Sequence, residues 1–323
     1  MRSFAKPRVV VSKCLEFEAC RYNGERIPDK LIERLNEYVE FIPVCPEIEI
    51  GLGTPREVIR LVADGDETKL MQPNTGMNLT SRMNEFSLEF LGSLKDIDGF
   101  ILKTRSPSCG VFDAKVYSGL EKAPVLRTEA GIFASHVKEH FTLVAKEDEG
   151  RLKNFIVREH FLTRLFTVAE FREVKKEDSI SKLMQFQAKN KYLFMACNQD
   201  SMRALGRIVA NHEKLANEEV FTQYEDELHK LFHRMPKPND HINVCQHVFG
   251  YFSKHLTKAE KDHFLTSLDQ FKEQKIPLSS LLTMLRSWSY RFENDYLLQQ
   301  YYFTPYPESL VAISDSGKGR SLS

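Results

Sequence analysis

The chain has 323 residues, 42% hydrophobic and 28% charged, an ordinary globular composition with enough length for two cores that need no disulfide staples. Forty-five basic residues balance 45 acidic ones, so overall charge gives no case for nucleic-acid binding and any basic surface must be a local patch. Six cysteines in so long a chain exclude a secreted disulfide scaffold, and no apolar run approaches the roughly 18 residues that span a bilayer. The basic start MRSFAKPRVVV lacks an apolar signal core, so the expectation is a cytoplasmic protein with reduced thiols and no membrane contact.

Strand and helix signals alternate through the first half. Residues 8–13 are a β-branched run that ends at Cys14. From Pro28, PDKLIERLNEYVE sets Leu31, Ile32, Leu35 and Val39 at helical spacing behind a first-turn proline. Residues 41–44 are the next strand and end at Cys45. The stretch 51–76, rich in Asp, Thr, Gly and Pro, reads as a connection; a helix from Ser81 then carries Met83, Phe86, Phe90, Leu91 and Leu94 on one side. Residues 99–103 form a third strand, with Cys109 shortly after, and EAGIFASHVKEHF is a helix leading into the apolar FTLVA. This alternation predicts an α/β domain over residues 1–148, a parallel sheet with flanking helices.

From Glu147 the charged KEDEGRLKN reads as solvated, and beyond it no strand pattern recurs, which predicts an all-α domain over residues 149–310. In ISKLMQFQAKNKYLFMACN, Ile180, Leu183, Phe186, Leu193, Phe194 and Cys197 share one arc of a helical wheel, with Lys182, Gln185 and Tyr192 outside it. Further helices are expected at 217–232, 242–255, 258–274 and 278–290, with MPKPND breaking the array. Residues 311–323 are small and polar and are expected to be disordered. There is no internal repeat.

Cys14, Cys45 and Cys109 each follow a strand, and in a parallel sheet the C-terminal strand ends share the rim where ligands bind. Three convergent thiolates suit an iron–sulfur cluster. Such clusters normally take four cysteines, so a set of three leaves one iron open to substrate. Glu47, two residues after Cys45, is the carboxylate placed to serve as general base. Ser106 and Ser108 flank the third cysteine and can hydrogen-bond substrate or cluster sulfur; Lys103, Arg56 and Arg21 can offset negative charge or hold a phosphate. The plain alternatives are three unconnected buried thiols, a turn-capping Glu47, turn chemistry at Ser106, and Cys20 as a fourth, closing ligand.

VSKCLEFEACRYNG, PVCPE, GLGTPRE and KTRSPSCG resemble, in order and spacing, the motifs of the thiouracil desulfurase family. The second half, through FIVREHF, KNKYLFMACNQDSMRALGRIVAN, HVFGYF and IPLSSLLTMLRSWSYRF, resembles the YbgA-like domain often fused behind it. The first resemblance implies a [4Fe-4S] cluster held by Cys14, Cys45 and Cys109, with Ser106 as the catalytic serine. It implies hydrolytic, non-redox desulfuration of a thiolated pyrimidine: 4-thiouridine in tRNA, presented by the helical domain, ahead of free thiouracil. Two other classes remain open: a non-catalytic RNA-binding or stress-regulatory protein with a redox-sensing cluster, and a cluster enzyme acting on another sulfur compound. The chain departs from its YbgA-like relatives at Gln187 and Cys197, where histidines are common. His229, His233, Cys245 and His247 offer a weak zinc pattern. Lys189, Lys191, Arg203 and Arg207 offer a basic face for RNA, and Tyr296, Tyr301, Tyr302, Phe303 and Tyr306 offer rings for base stacking. Their plain readings are core packing and solvated helix surface.

Overall fold

The computed structural model describes residues 2–311. In chain order its first half forms β1 (Arg8–Ser12), α1 (Lys30–Leu35), β2 (Glu40–Val44), the one-turn α2 (Pro46–Glu49), β3 (Arg60–Asp64), β4 (Glu67–Gln72), β5 (Met77–Asn78), α3 (Thr80–Ser93), β6 (Gly99–Leu102), β7 (Ala114–Tyr117), β8 (Val125–Glu129), α4 (Ile132–His140), β9 (Ala145–Asp148) and α5 (Phe155–Lys176). Two compact units result. Among the described residues, one holds those up to Glu170 together with 307–311; the other is Phe171–Tyr306.

The first unit is α/β, with an all-parallel sheet in the order β2-β1-β6-β9. Its central strands are the most apolar runs: Val9, Val10 and Val11 of β1 and Phe100, Ile101 and Leu102 of β6 are fully buried, as strands covered on both faces require. The register puts Ser12 opposite Val44, Val11 opposite Ile101, and Leu102 opposite Asp148. All four strands therefore end at the same edge, and the segments after Ser12, Val44, Leu102 and Asp148 emerge side by side.

A second sheet, of mixed direction and order β5-β4-β3-β7-β8, draws three strands from the region that reads as an irregular connection and the next stretch. Its apolar content is thin: Leu61, Leu70, Ala114 and Val116 are buried, while most of β8 is exposed. β3 and β4 are joined across Gly65 and Asp66, with Gly65 at φ +62°, a left-handed turn position that glycine fills without strain. KEDEGRLKN, expected to be solvated, instead supplies β9, and Asp148 and Glu149 are buried.

The second unit is helical: α6 (Ile180–Cys197), α7 (Gln199–Ala210), α8 (Asn217–Leu231), α9 (Pro238–Gly250), α10 (Lys258–Lys272), α11 (Leu278–Arg291) and the short α12 (Asp295–Leu298). Asn198 caps α7, and Thr257 with Glu260 forms a capping box on α10. The last two turns of α6 are buried nearly all round, because α7, α8 and α9 all pack on it. Tyr192 is therefore not on an outer face as the wheel suggests; it is 3% exposed, with its hydroxyl 3.2 Å from that of Tyr251. Tyr302 and Tyr306 are likewise buried. The expected tail lies, from residue 312 on, outside the described residues. No helix among the described residues is long and apolar enough to cross a membrane.

Candidate active site

The flush strand ends deliver the chemistry. Cys14 lies two residues beyond β1, and Cys45 directly follows β2 as the N-cap of α2. Cys109 sits in the loop after β6, and all three thiols are free and buried. Cys20, also buried, joins them: its carbonyl lies 3.8 Å from Cys45 Sγ.

The thiols interact electrically. Burial, and then negative charge at Cys45, pushes Cys14 up to about 12. Burial likewise raises Cys109, against a hydrogen bond from Ser12, with Glu47, Cys45 and Cys14 adding to the rise. Cys45 moves the other way, to about 7, because the Cys20 thiol donates to it, opposed by burial and aided by the Ile48 amide at the start of α2 and by Arg56. Cys20 is raised by the same bond.

Glu47, in the first turn of α2, stands between the cysteines and two serines. Arg56 binds its Oε2 through Nη2 at 2.5 Å and Nε at 2.9 Å, with only 4% of the arginine side chain exposed. Arg56 Nη1 also donates to the Cys20 and Gly53 carbonyls. Oε1 faces the other way and accepts from Ser108 Oγ at 2.6 Å, with Ser106 Oγ at 3.5 Å. The two hydroxyls are 3.0 Å apart. Their partners differ: Ser106 Oγ also accepts the amides of Ser108 and Cys109, whereas Ser108 makes the short bond to the carboxylate.

That loop is braced on both sides. Asp113 accepts from Thr104 Oγ1 and the Arg105 amide, Arg105 having φ +58°. On the other side the start of α4 donates to it, Ile132 N to the Pro107 carbonyl and Ala134 N to that of Ser108. Gly131 allows this approach, since a Cβ there would lie 2.5 Å from the Ser108 carbonyl oxygen.

The remaining sequence candidates are engaged elsewhere. Lys103 Nζ pairs with the buried Glu149, which also accepts the Thr104 amide. Arg21 lies 3.7 Å from Glu25 and over the Tyr22 ring. Sequence reasoning singles out neither Ser12 nor Glu149. Ser12 accepts the Lys103 amide at 2.9 Å and donates to Cys109; its only sequence signal is its place as the last residue of β1. In the helical unit, Cys197 and Cys245 are core thiols, and among the described residues none of His229, His233, Cys245 and His247 joins a three-ligand group.

The donor set fits a soft, multinuclear metal group. Among the described residues the three thiol sulfurs are not all within 4.8 Å of one another, whereas a single tetrahedral zinc with Zn–S bonds near 2.3 Å would hold its sulfurs about 3.8 Å apart. A buried, all-thiol triad is a donor set that a cluster with one corner unclaimed by protein would accept.

Two families match separate stretches of the chain. The family described as 2-thiouracil desulfurase matches residues 9–149, and the family described as protein of unknown function DUF1722 matches residues 191–307. The uncharacterized protein YbbK of Bacillus subtilis is 30% identical over 148 residues, covering 44% of this chain and 96% of its own. The uncharacterized protein YbgA of Escherichia coli is 27% identical over 158 residues, covering 48% and 93%. A solved [4Fe-4S]-dependent thiouracil desulfidase, TudS, is 24% identical and covers 46% of this chain and 93% of its own, with a TM-score of 0.35.

Proposed function

Because the chain belongs to the 2-thiouracil desulfurase family through residues 9–149 and carries a DUF1722 domain behind it, we propose that it hydrolyses the C–S bond of a thiolated pyrimidine. The net reaction exchanges the thiocarbonyl for a carbonyl: water supplies oxygen, sulfide leaves, and no electrons are transferred. The preferred substrate is 4-thiouridine in tRNA or the corresponding nucleotide, with free thiouracil second. Residues 1–148 carry the reaction and residues 149–310 present the substrate.

Cys14, Cys45 and Cys109 would hold a [4Fe-4S] cluster. When bound, it would supply Lewis-acidic, sulfur-seeking iron for the thiocarbonyl and for sulfide. The chain's own residues do the rest. Glu47 takes the proton from water at Oε1, the oxygen that Arg56 leaves free. Ser108 and Ser106 hold that oxygen in place and offer hydroxyls to the pyrimidine. Lys103 with Glu149 anchors the loop start, and Arg21 meets a phosphate. The Cys20 contact lowers Cys45 and so favours its loss of a proton on binding metal.

The observation that carries this reading is a single carboxylate, Glu47, bonded to both Arg56 and Ser108 beside a buried thiol triad. Its test is anaerobic reconstitution with iron and sulfide counts, then sulfide release from thiouracil, 4-thiouridine and thiolated tRNA. Release from at least one is expected; a loaded protein that releases sulfide from none of them refutes it.

A further inference from the structure

We propose that His136, Glu139 and His140 form a second metal site, separate from the thiols, for a borderline divalent transition ion such as Zn2+. The three lie at i, i+3 and i+4 on α4, hence on one helix face. Among the described residues they are the group of three His, Cys, Asp or Glu whose ligand atoms all fall within 4.8 Å of one another. The sequence H-V-K-E-H carries the same pattern, two histidines four apart with a glutamate between them.

The ring nitrogens are already sorted as a metal would need them. His136 Nε2 is 3.0 Å from Asn84 Oδ1 on α3, an acceptor, so this nitrogen carries the proton and Nδ1 keeps its lone pair. That Nδ1 is buried and has no hydrogen-bond partner, Glu139 Oε2 being 3.8 Å away. A buried polar atom left unsatisfied requires an explanation. His140 Nδ1 is 3.0 Å from the His136 carbonyl, which assigns its proton there and leaves Nε2 free. Metal-binding histidines characteristically donate their second nitrogen to a carbonyl or similar acceptor in this way. Lys138, the nearest cation in sequence, turns instead toward the Phe112 ring, 5.3 Å from its centroid. Two imidazoles and a carboxylate suit Zn2+ and its neighbours rather than Ca2+ or Mg2+, and leave a coordination position for solvent.

The test is titration of the full-length chain with Co2+ and with Zn2+, in the wild type and in a Cys14→Ser, Cys45→Ser, Cys109→Ser variant that removes the competing thiols. One equivalent should bind in the variant, with a cobalt spectrum showing ligand-field bands without thiolate charge transfer, and the same bands should appear in the wild type beside whatever the thiols bind. His136→Ala or His140→Ala should weaken binding at least tenfold. Asn84→Ala, which keeps all three ligands, should weaken it about 10–100-fold by freeing the His136 ring. The proposal is overturned if the ion fails to bind, if binding in the wild type shows only thiolate charge transfer, or if neither histidine substitution changes the affinity. Should the triple variant fail to fold, the histidine and asparagine variants in the wild-type chain decide the matter alone.

Discussion

Glu47 Oε1 accepts the hydroxyl of Ser108 at 2.6 Å across 61 residues of sequence, joining the helix that follows Cys45 to the loop that carries Cys109. Glu47→Gln keeps the shape of this link but removes the proton acceptor. Sulfide release by the reconstituted variant is expected to fall about 10²–10⁴-fold, the usual contribution of a general base, with iron content unchanged. Turnover near wild type would remove Glu47 from the mechanism and favour a redox-sensing role for the cluster.

The two serines should separate in their effects. Ser108→Ala removes one hydrogen bond to a charged group, about 1.5–3 kcal/mol, and should lower kcat/KM tenfold or more while iron binding persists. Ser106→Ala strands the amides of Ser108 and Cys109 and should instead loosen the loop, seen as reduced iron retention on gel filtration. Equal behaviour of the two variants in both assays would contradict this division.

Arg56 is held by Glu47 with almost no solvent exposure, so Arg56→Ala leaves a buried carboxylate without its counter-charge. A loss of about 3–5 kcal/mol is expected in urea unfolding of the first unit. Arg56→Ala with Glu47→Gln should recover part of that loss, and additive losses would show that the pair is not coupled.

Acid should weaken the helical unit through His241. Burial pushes its imidazole from the usual 6.5 down to about 4, opposed by Asp240, and Nδ1 lies 2.9 Å from Tyr302 Oη. The unfolded chain takes up a proton below pH 6.5 while the folded unit resists until about 4. Stability is therefore constant above that window and falls as pH drops through it, by about 3 kcal/mol at most. The single tryptophan, Trp288, lies in this unit and reports its unfolding; His241→Gln should flatten the profile.

If the helical unit presents tRNA, it does so through electrostatic attraction. Arg203 and Arg207 are exposed and one turn apart on α7. Lys189 and Lys191 are two residues apart on α6 and so point about 200° from each other, with their ammonium groups toward Tyr301 and Tyr192. Replacing both arginines with glutamine should weaken tRNA binding and reduce its salt slope by roughly one for each arginine that neutralises a phosphate. An unchanged slope would point to a small-molecule substrate.

The parallel sheet was legible because its buried strands are unbroken apolar runs, and the thiol rim because each run leads to a cysteine. The second sheet was less so: β3 and β4 bury little beyond Leu61 and Leu70, although Gly65–Asp66 is a hairpin signal in plain view. Glu149 was hidden for a different reason. A charged residue in a charged stretch looks solvated, and its burial is offset by Lys103, 46 positions earlier, and by the Thr104 amide. Tyr192 shows the limit of a helical wheel, which finds one apolar face but cannot know that a helix will be surrounded.

Gly131 has no side chain with which to bind anything, yet the Ser108 carbonyl occupies the space a Cβ would need. A saturation scan of sulfide release would therefore mark position 131 as intolerant as strongly as the cysteines. Any library that diversifies the pyrimidine pocket should hold this glycine fixed, because the loop and α4 can change partners only together.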